Sequence, residues 1–251
     1  MKAAVLIKQV PDTTAKIDIS GGEVDESGIA KWSISPYDEY ALESALQMQK
    51  DVGATVVAIT LGPDRASKSL VDAAAVGADE LVHISHEGAI GSFALQTALA
   101  EAVKRVGADV VLAGKQAADT NAGSTASGVA KILNWPCVGL VSKIDASEGE
   151  FEATRSTVAG LERVSVSSPC VFAFDKGEDK LRIPNVRGIM MAKKKPVQKH
   201  TMADLEVDAS NGGITESSVT YPPQKPPGQK FEGASSAPEV VSRLRDEANV
   251  I

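Results

Sequence analysis

The sequence predicts an α/β protein: a parallel sheet with helices packed on it, an antiparallel extension at one edge, and a long C-terminal arm. Three observations predict it. Short, largely apolar runs recur at residues 3–7, 56–60, 81–84 and 110–113, the first of them unbroken, as in strands buried on both faces. Helix-length segments separate the later ones, at 65–76 and 92–106. Finally, Val52-Gly53-Ala54-Thr55, Val76-Gly77-Ala78-Asp79 and Val106-Gly107-Ala108-Asp109 repeat one junction that closes a helix and opens a strand. Strands alternating with helices through short turns give a parallel sheet with right-handed crossovers. The uneven spacing of the junctions fits repeated αβ units rather than a solenoid.

In chain order, Ala3-Ala4-Val5-Leu6-Ile7 is the first strand, and Lys8-Gln9-Val10-Pro11-Asp12 leaves its carboxyl end. Residues 13–31 are polar and read as a loop carrying short strands. Ser35-Pro36-Tyr37-Asp38 starts a helix: serine suits the N-cap, proline the first helical position, and acids the first turn. Tyr40, Leu42, Ala45, Leu46 and Met48 continue it towards Lys50 on a partial helical stripe.

The strand at 110–113 stops at Gly114. A small, polar loop follows, and then a helix over 126–133. Strand, glycine, small loop and helix N-terminus is how α/β proteins build a phosphate site. The first N–H groups of a helix have no internal partner, and the dipole favours an anion there. Small residues let the backbone approach a ligand. The segment has neither a P-loop nor a G-x-G-x-x-G turn.

Beyond Leu133 the grammar changes. Residues 138–144, 152–157, 164–166 and 170–174 alternate as strands and are expected to form the antiparallel extension. From Val197 the chain turns polar, with Asn211-Gly212-Gly213 and Pro222-Pro223-Gln224-Lys225-Pro226-Pro227-Gly228, and has no core of its own. A terminal amphipathic helix over 238–248 carries Val240, Val241 and Leu244. It is expected to dock on a second subunit, with this chain's own surface as the alternative.

Composition excludes several classes. The chain has 251 residues, 43% hydrophobic and 24% charged, as one large soluble domain with an appendage would. A net charge of −7 leaves no nucleic-acid footprint, and Lys193-Lys194-Lys195 is only local. No apolar run reaches the ~20 residues of a membrane span. Cys137 and Cys170 lack a C-x-x-C partner, which favours a reducing compartment. His83 and His86 are expected at a strand end on the surface and, with His200, make no metal-ligand set. Met1-Lys2 leads straight into a strand, so no leader is expected and the expected location is cytoplasmic. No nucleophile elbow and no H-E-x-x-H occur, so no catalytic residue is expected.

Several stretches together resemble the β subunit of electron transfer flavoprotein. They are Val5-Leu6-Ile7-Lys8-Gln9-Val10-Pro11-Asp12, Ser35-Pro36-Tyr37-Asp38 with Ala41-Leu42-Glu43, Leu61-Gly62-Pro63, and Gly114-Lys115-Gln116 with Ser124-Thr125. Asn134-Trp135-Pro136 and Pro184-Asn185-Val186-Arg187-Gly188-Ile189-Met190-Met191-Ala192-Lys193-Lys194-Lys195-Pro196 complete the set. The resemblance runs in order over roughly residues 1–200.

It implies a Rossmann-like fold of the adenine-nucleotide α-hydrolase type. The nucleotide-binding α/β domain would span residues 1–196, including a partner-recognition loop at 174–196. Residues 197–251 would be an arm whose terminal helix docks on the α subunit. The resemblance further implies AMP buried in this chain with a structural role, and FAD held mainly by the α subunit at the interface. In bifurcating members a second FAD replaces AMP. Electrons would come from flavin dehydrogenases and pass on towards a quinone oxidoreductase.

By resemblance, the AMP contacts fall at Leu6, at Ser35, Pro36, Tyr37 and Asp38, at Leu61, and along Gly114, Lys115, Gln116, Ala117, Ala118, Asp119, Thr120, Asn121, Ala122, Gly123, Ser124 and Thr125. Partner recognition falls on Asn185, Val186, Arg187, Gly188, Ile189 and Met190, with Val186 as the aliphatic anchor where relatives often carry leucine. Two stretches depart from the family. Thr157-Val158-Ala159-Gly160-Leu161-Glu162-Arg163 lacks the usual acidic-glycine pair. Asp119-Thr120-Asn121-Ala122-Gly123 has neither the acidic run of some AMP binders nor the Gly-Asp-Thr-x-Gln-Val-Gly-Pro of FAD-holding relatives, which leans the expectation to AMP. The competing readings are a bifurcating subunit with FAD in that place and a stand-alone adenine-nucleotide sensor of the stress-protein type.

Overall fold

The computed structural model describes residues 1–147, 149–211, 218–225 and 227–251. Gly212 and Gly213 of the polar arm, and Pro226 of its proline-rich stretch, lie outside the described residues.

Nine strands form one sheet. β1 (Lys2–Leu6) leads into β2 (Gln9–Pro11), a hairpin of β3 (Asp18–Ser20) and β4 (Glu23–Asp25), and β5 (Trp32–Ile34), which pairs with β2. Then come α1 (Pro36–Val52), β6 (Thr55–Gly62), α2 (Ser67–Val76), β7 (Glu80–Ser85), α3 (Ser92–Val106), β8 (Val110–Gly114) and α4 (Thr125–Leu133). The second half adds β9 (Cys137–Ser147), β10 (Glu150–Thr157), β11 (Gly160–Ser167), β12 (Cys170–Phe174), α5 (Val186–Ala192), β13 (Val197–Thr201) and α6 (Ala237–Asp246). The main sheet runs β11-β10-β9-β12-β8-β1-β6-β7-β13.

The apolar runs predicted as strands sit in the centre, and successive residues face opposite layers. Ala3 and Val5 of β1 pack with Leu42 and Leu46 of α1 and Leu70 of α2. Ala4 and Leu6 pack with Leu99 and Val103 of α3 and Val129 of α4. Helices therefore cover both faces, α1 and α2 on one and α3 and α4 on the other. Gly53 closes α1 at φ 68 and Gly107 closes α3 at φ 65, left-handed caps as the repeated junction predicts, whereas Gly77, the third of the set, closes α2 at φ 133, outside the left-handed helical region.

From β1 the chain steps through β6 to β7, then returns to place β8 on the other side of β1. The direction of winding thus reverses between β1 and β8. At such a switch point the crossovers diverge and leave a crevice above the carboxyl ends of the strands.

Three expectations need correction. Cys170–Phe174 is not part of the antiparallel extension: as β12 it lies parallel between β8 and β9, fully buried. Its unbroken apolar run signals a doubly covered strand. Within the main sheet, among the described residues, only β9, β10 and β11 pair antiparallel. The polar segment from Val197 opens with β13, which extends the sheet beside β7, and Met202 and Leu205 behind it enter the core. His83 is buried inside β7, not exposed; its Nε2 lies 3.0 Å from the Gly62 carbonyl.

The arm returns in part to its own body. The Val219 N–H donates to the Gly22 carbonyl at 2.7 Å, and the Tyr221 hydroxyl accepts from the Ile19 N–H at 2.9 Å. Beyond it, α6 buries none of its residues, and Val241 and Leu244 stay exposed.

Candidate functional site

The residues singled out in the first half of the chain meet at the switch point. Leu6 ends β1 and Gly114 ends β8, side by side in the sheet, and Leu61 sits near the end of β6 on the far side of β1. Ser35, Pro36, Tyr37 and Asp38 form the N-terminus of α1, directly over Gly114.

Asp38 joins these parts. One carboxylate oxygen accepts from the Lys8 N–H at 2.9 Å and the other from the Gly114 N–H at 2.9 Å. The side chain thus spans the two strand ends between which the winding reverses. Burial pushes its carboxyl up to about 7, against the pull of those two N–H groups and the Lys8 charge. The family resemblance, and its place at a helix N-terminus, put Asp38 among the expected site residues; its part as a clamp between Lys8 and Gly114 is visible only in the fold.

Gly114 is small because nothing larger fits. A Cβ there would lie 2.5 Å from Asp38 Oδ1 and 2.7 Å from Tyr37 Cβ. Its neighbour Lys115 donates its N–H to the Phe174 carbonyl at 2.6 Å, and its ammonium pairs with Asp175 at 2.8 Å and lies 4.9 Å from the Tyr37 ring centre.

The loop from Lys115 to Ser124 is held by its own polar groups. Gln116 donates to Asn121 Oδ1 at 2.7 Å, and the Asn121 N–H donates to the Ala117 carbonyl at 2.9 Å. Asp119 reaches back to Lys8 at 2.6 Å, so the loop is tied to the end of β1. Asn121 adopts φ 52 and Gly123 φ 67, turning the chain into α4. Ala117 and Ala118 are half-buried, while Thr120 and Ala122 are exposed.

Ser124 and Thr125 open α4. Gln96 of α3 fastens this end, donating to the Ser124 carbonyl at 3.1 Å. Its side chain fills the space that a Cβ on Gly128 would occupy, at 2.1 Å. Two signals here point to a ligand. The first-turn N–H groups of α4 have no intrahelical acceptor. The buried Ser35 hydroxyl has no partner among the described residues, even though Ser35 holds the N-cap position its sequence predicted. Small residues, open donors and a fixed backbone are the features with which a helix N-terminus can accept an anionic group.

The second predicted group lies elsewhere, on α5. Asn185 caps this helix by accepting from the Gly188 N–H at 2.8 Å. Val186 is 75% exposed, and Arg187 and Met190 are exposed as well. Between α5 and α2 runs a groove of about 550 Å³ lined by Val71, Pro184 and Ile189 with Arg65, Lys68 and Lys193 at its rim. Among the described residues no group of three or more His, Cys, Asp or Glu side chains is set to hold a metal, and no helix is long and apolar enough to cross a membrane.

Fold and crevice together define a doubly wound α/β protein whose prepared surface lies at its switch point. Comparison with known proteins makes this specific. The family described as electron transfer flavoprotein domain matches residues 24–205. The chain is 34% identical over 258 residues to the electron transfer flavoprotein subunit beta of Bacillus subtilis, covering 100% of both chains. It is 36% identical over 243 residues to that of Syntrophomonas wolfei, covering 96% of this chain and 93% of the other. It is 33% identical over 258 residues to the mitochondrial subunit beta of Oryza sativa subsp. japonica, again over 100% of both. The chain belongs to the electron transfer flavoprotein family, among its β subunits, and its role is electron transfer.

Proposed function

We propose that this chain holds AMP structurally in the crevice between the ends of β1 and β8, and that it forms a heterodimer with an electron transfer flavoprotein α subunit. FAD sits mainly in the α subunit, at the interface. The FAD supplies the electron chemistry when bound. The residues of this chain supply position: it is a carrier subunit without turnover of its own. The observation that carries the reading is the convergence at the switch point of Leu6, Gly114, the α1 N-terminus and the open α4 N-terminus.

In this reading Gly114 and the small residues behind it let the nucleotide approach the backbone. The α4 N–H groups with Ser124 and Thr125 take the phosphate. The Ser35 hydroxyl supplies a further donor or acceptor. Lys8 and Lys115 are already paired with Asp119 and Asp175, so little positive charge is left over for a longer polyphosphate.

The exposed α5, with Val186 at its start, docks flavin dehydrogenases that deliver electrons, and a quinone oxidoreductase takes them onward. We place the protein in the cytoplasm, in keeping with two free cysteines.

Acid release and chromatography of nucleotides from the co-purified αβ complex tests the site. One AMP and one FAD per heterodimer is the expected result. Two FAD and no AMP would turn the Gly114–Thr125 loop into a redox site of the bifurcating kind. A colourless, nucleotide-free single chain would overturn the proposal and favour a stand-alone protein.

The terminal helix gives a separate check. Because α6 buries none of its residues in this chain, removing residues 233–251 is expected to leave the thermal unfolding of the β subunit unchanged. The same truncation is expected to weaken association with the α subunit at least tenfold, read by sedimentation of the mixed subunits. Unchanged association would assign the helix no part in the heterodimer.

A further inference from the structure

The segment after β12 exposes an unusual amount of apolar surface. Ile183 is 86% exposed, Val186 75%, and Met190 and Met191 61% each. It stands on α5, a helix of 7 residues, too short to hold its shape unaided. One support is α2: a Cβ on Gly188 would lie 2.5 Å from the Ala75 carbonyl oxygen, so the two helices touch backbone to backbone there.

The other support is an ion pair between residues 139 positions apart. Glu43 lies in the middle of α1, about two turns beyond its crevice-facing end, and its side chain is only 4% exposed. Arg182 Nε donates to Glu43 Oε2 at 2.8 Å and to Oε1 at 3.1 Å, and Nη2 donates to Oε1 at 2.7 Å. The Arg182 backbone N–H donates to Oε2 at 3.1 Å, and Gln47 adds a bond to Oε1 at 3.0 Å. Both carboxylate oxygens are saturated, mostly by one residue, through its fork and its own backbone. Burial works to raise the Glu43 carboxyl, but the Arg182 bonds outweigh it and hold it below its ordinary value.

A bidentate pair that also grips the partner's main chain fixes the direction in which the chain leaves Arg182. The next residue is Ile183, and Val186 follows within one turn of chain. We propose that Glu43 and Arg182 are a positioning pair, which sets the exposed apolar row at the angle that fits an apolar pocket on an electron-donating protein. This rests on the reading of α5 as the docking element. Neither residue touches the nucleotide crevice or the donor; each acts through the loop it holds.

The test uses the whole αβ complex, reduced by a flavin dehydrogenase chosen because it reduces the wild-type complex. Glu43→Gln keeps the shape but leaves the Arg182 fork facing an amide. It is expected to raise KM for the dehydrogenase at least tenfold while kcat and FAD content stay at wild-type values. Arg182→Lys, which keeps the charge and loses the fork, is expected to fall between. Val186→Ala serves as the control for docking itself. A raised KM in Val186→Ala with a wild-type KM in Glu43→Gln overturns the positioning pair and leaves the docking reading intact. Wild-type KM in both overturns the docking reading and the pair with it. A fall in FAD content or in kcat that tracks KM assigns the pair to the fold alone, which also overturns the proposal.

Discussion

Gly114→Ala is expected to empty the nucleotide crevice and to destabilise the fold together. The added methyl would sit 2.5 Å from Asp38 Oδ1 and 2.7 Å from Tyr37 Cβ, closer than real Cβ contacts come. Neither neighbour can yield freely. Asp38 is held by two backbone N–H groups, and Tyr37 belongs to the first turn of α1 behind Pro36. The helix must lift from the strand end, and overpacking of this kind costs ~1–3 kcal/mol or more. Thermal unfolding and released nucleotide, measured on one preparation of the complex, check it. A normal melting temperature with full nucleotide content would mean that α1 shifts without consequence, against the close packing described here.

Asp38 gives the second large effect. Asp38→Ala removes the acceptor for two N–H groups, of which that of Gly114 is buried, and an orphaned buried donor costs ~1–3 kcal/mol. Asp38→Asn keeps one acceptor but turns an amide N–H2 towards a backbone donor, so it too is expected to destabilise. The carboxyl also carries a pH signature with a defined sign. Its native value is raised to about 7, chiefly by burial, with Asp119 adding to the rise and Lys8 opposing it. In the unfolded chain an aspartate releases its proton near ~3.9. Between the two values the native state holds a proton that the unfolded state has lost. The native state therefore binds more protons, and this group's contribution to stability falls as pH rises through that window. Relative to Asp38→Asn, the wild type is expected to lose up to ~1.4 kcal/mol per pH unit from about pH 4 to about pH 7, and then to level off. Denaturant unfolding of both proteins at a series of pH values measures it. Parallel profiles would mean that Asp38 stays ionised in the folded chain.

Much of this arrangement was legible in the residues, and the parts that were not share a cause. Strand runs such as 3–7 and 110–113 announce burial on both faces because every residue is apolar. The caps announce themselves because only glycine takes the left-handed turn at no cost. The same test, applied to Cys170-Val171-Phe172-Ala173-Phe174, marks a central strand, whereas its neighbours at 164–166 alternate as an extension exposed on one face does. Val197-Gln198-Lys199-His200-Thr201 gave no such signal, since an edge strand needs little apolar surface. His83 sits in a run, Leu81-Val82-His83-Ile84, whose apolar neighbours argue for burial, while histidine as a residue type is only intermediate in its preference for the interior. The Asp38 clamp and the Glu43–Arg182 pair are beyond local reading. Each depends on partners brought together from 30 to 139 positions away, which only the topology sets.

The place of β12 also bears on the order in which the chain is completed. A chain growing from its N-terminus makes β8 about 60 residues before the strand that seals that strand's free edge. Until residue 174 has been made, the backbone of β8 next to the crevice is an open sheet edge of purely apolar character, the kind of surface that pairs with strangers. Meanwhile the β9–β11 hairpins can form on their own, because their contacts are local. The switch-point lip is thus completed only with β12, and nascent chains ending short of Phe174 carry Gly114 without the carbonyl that anchors Lys115 beside it.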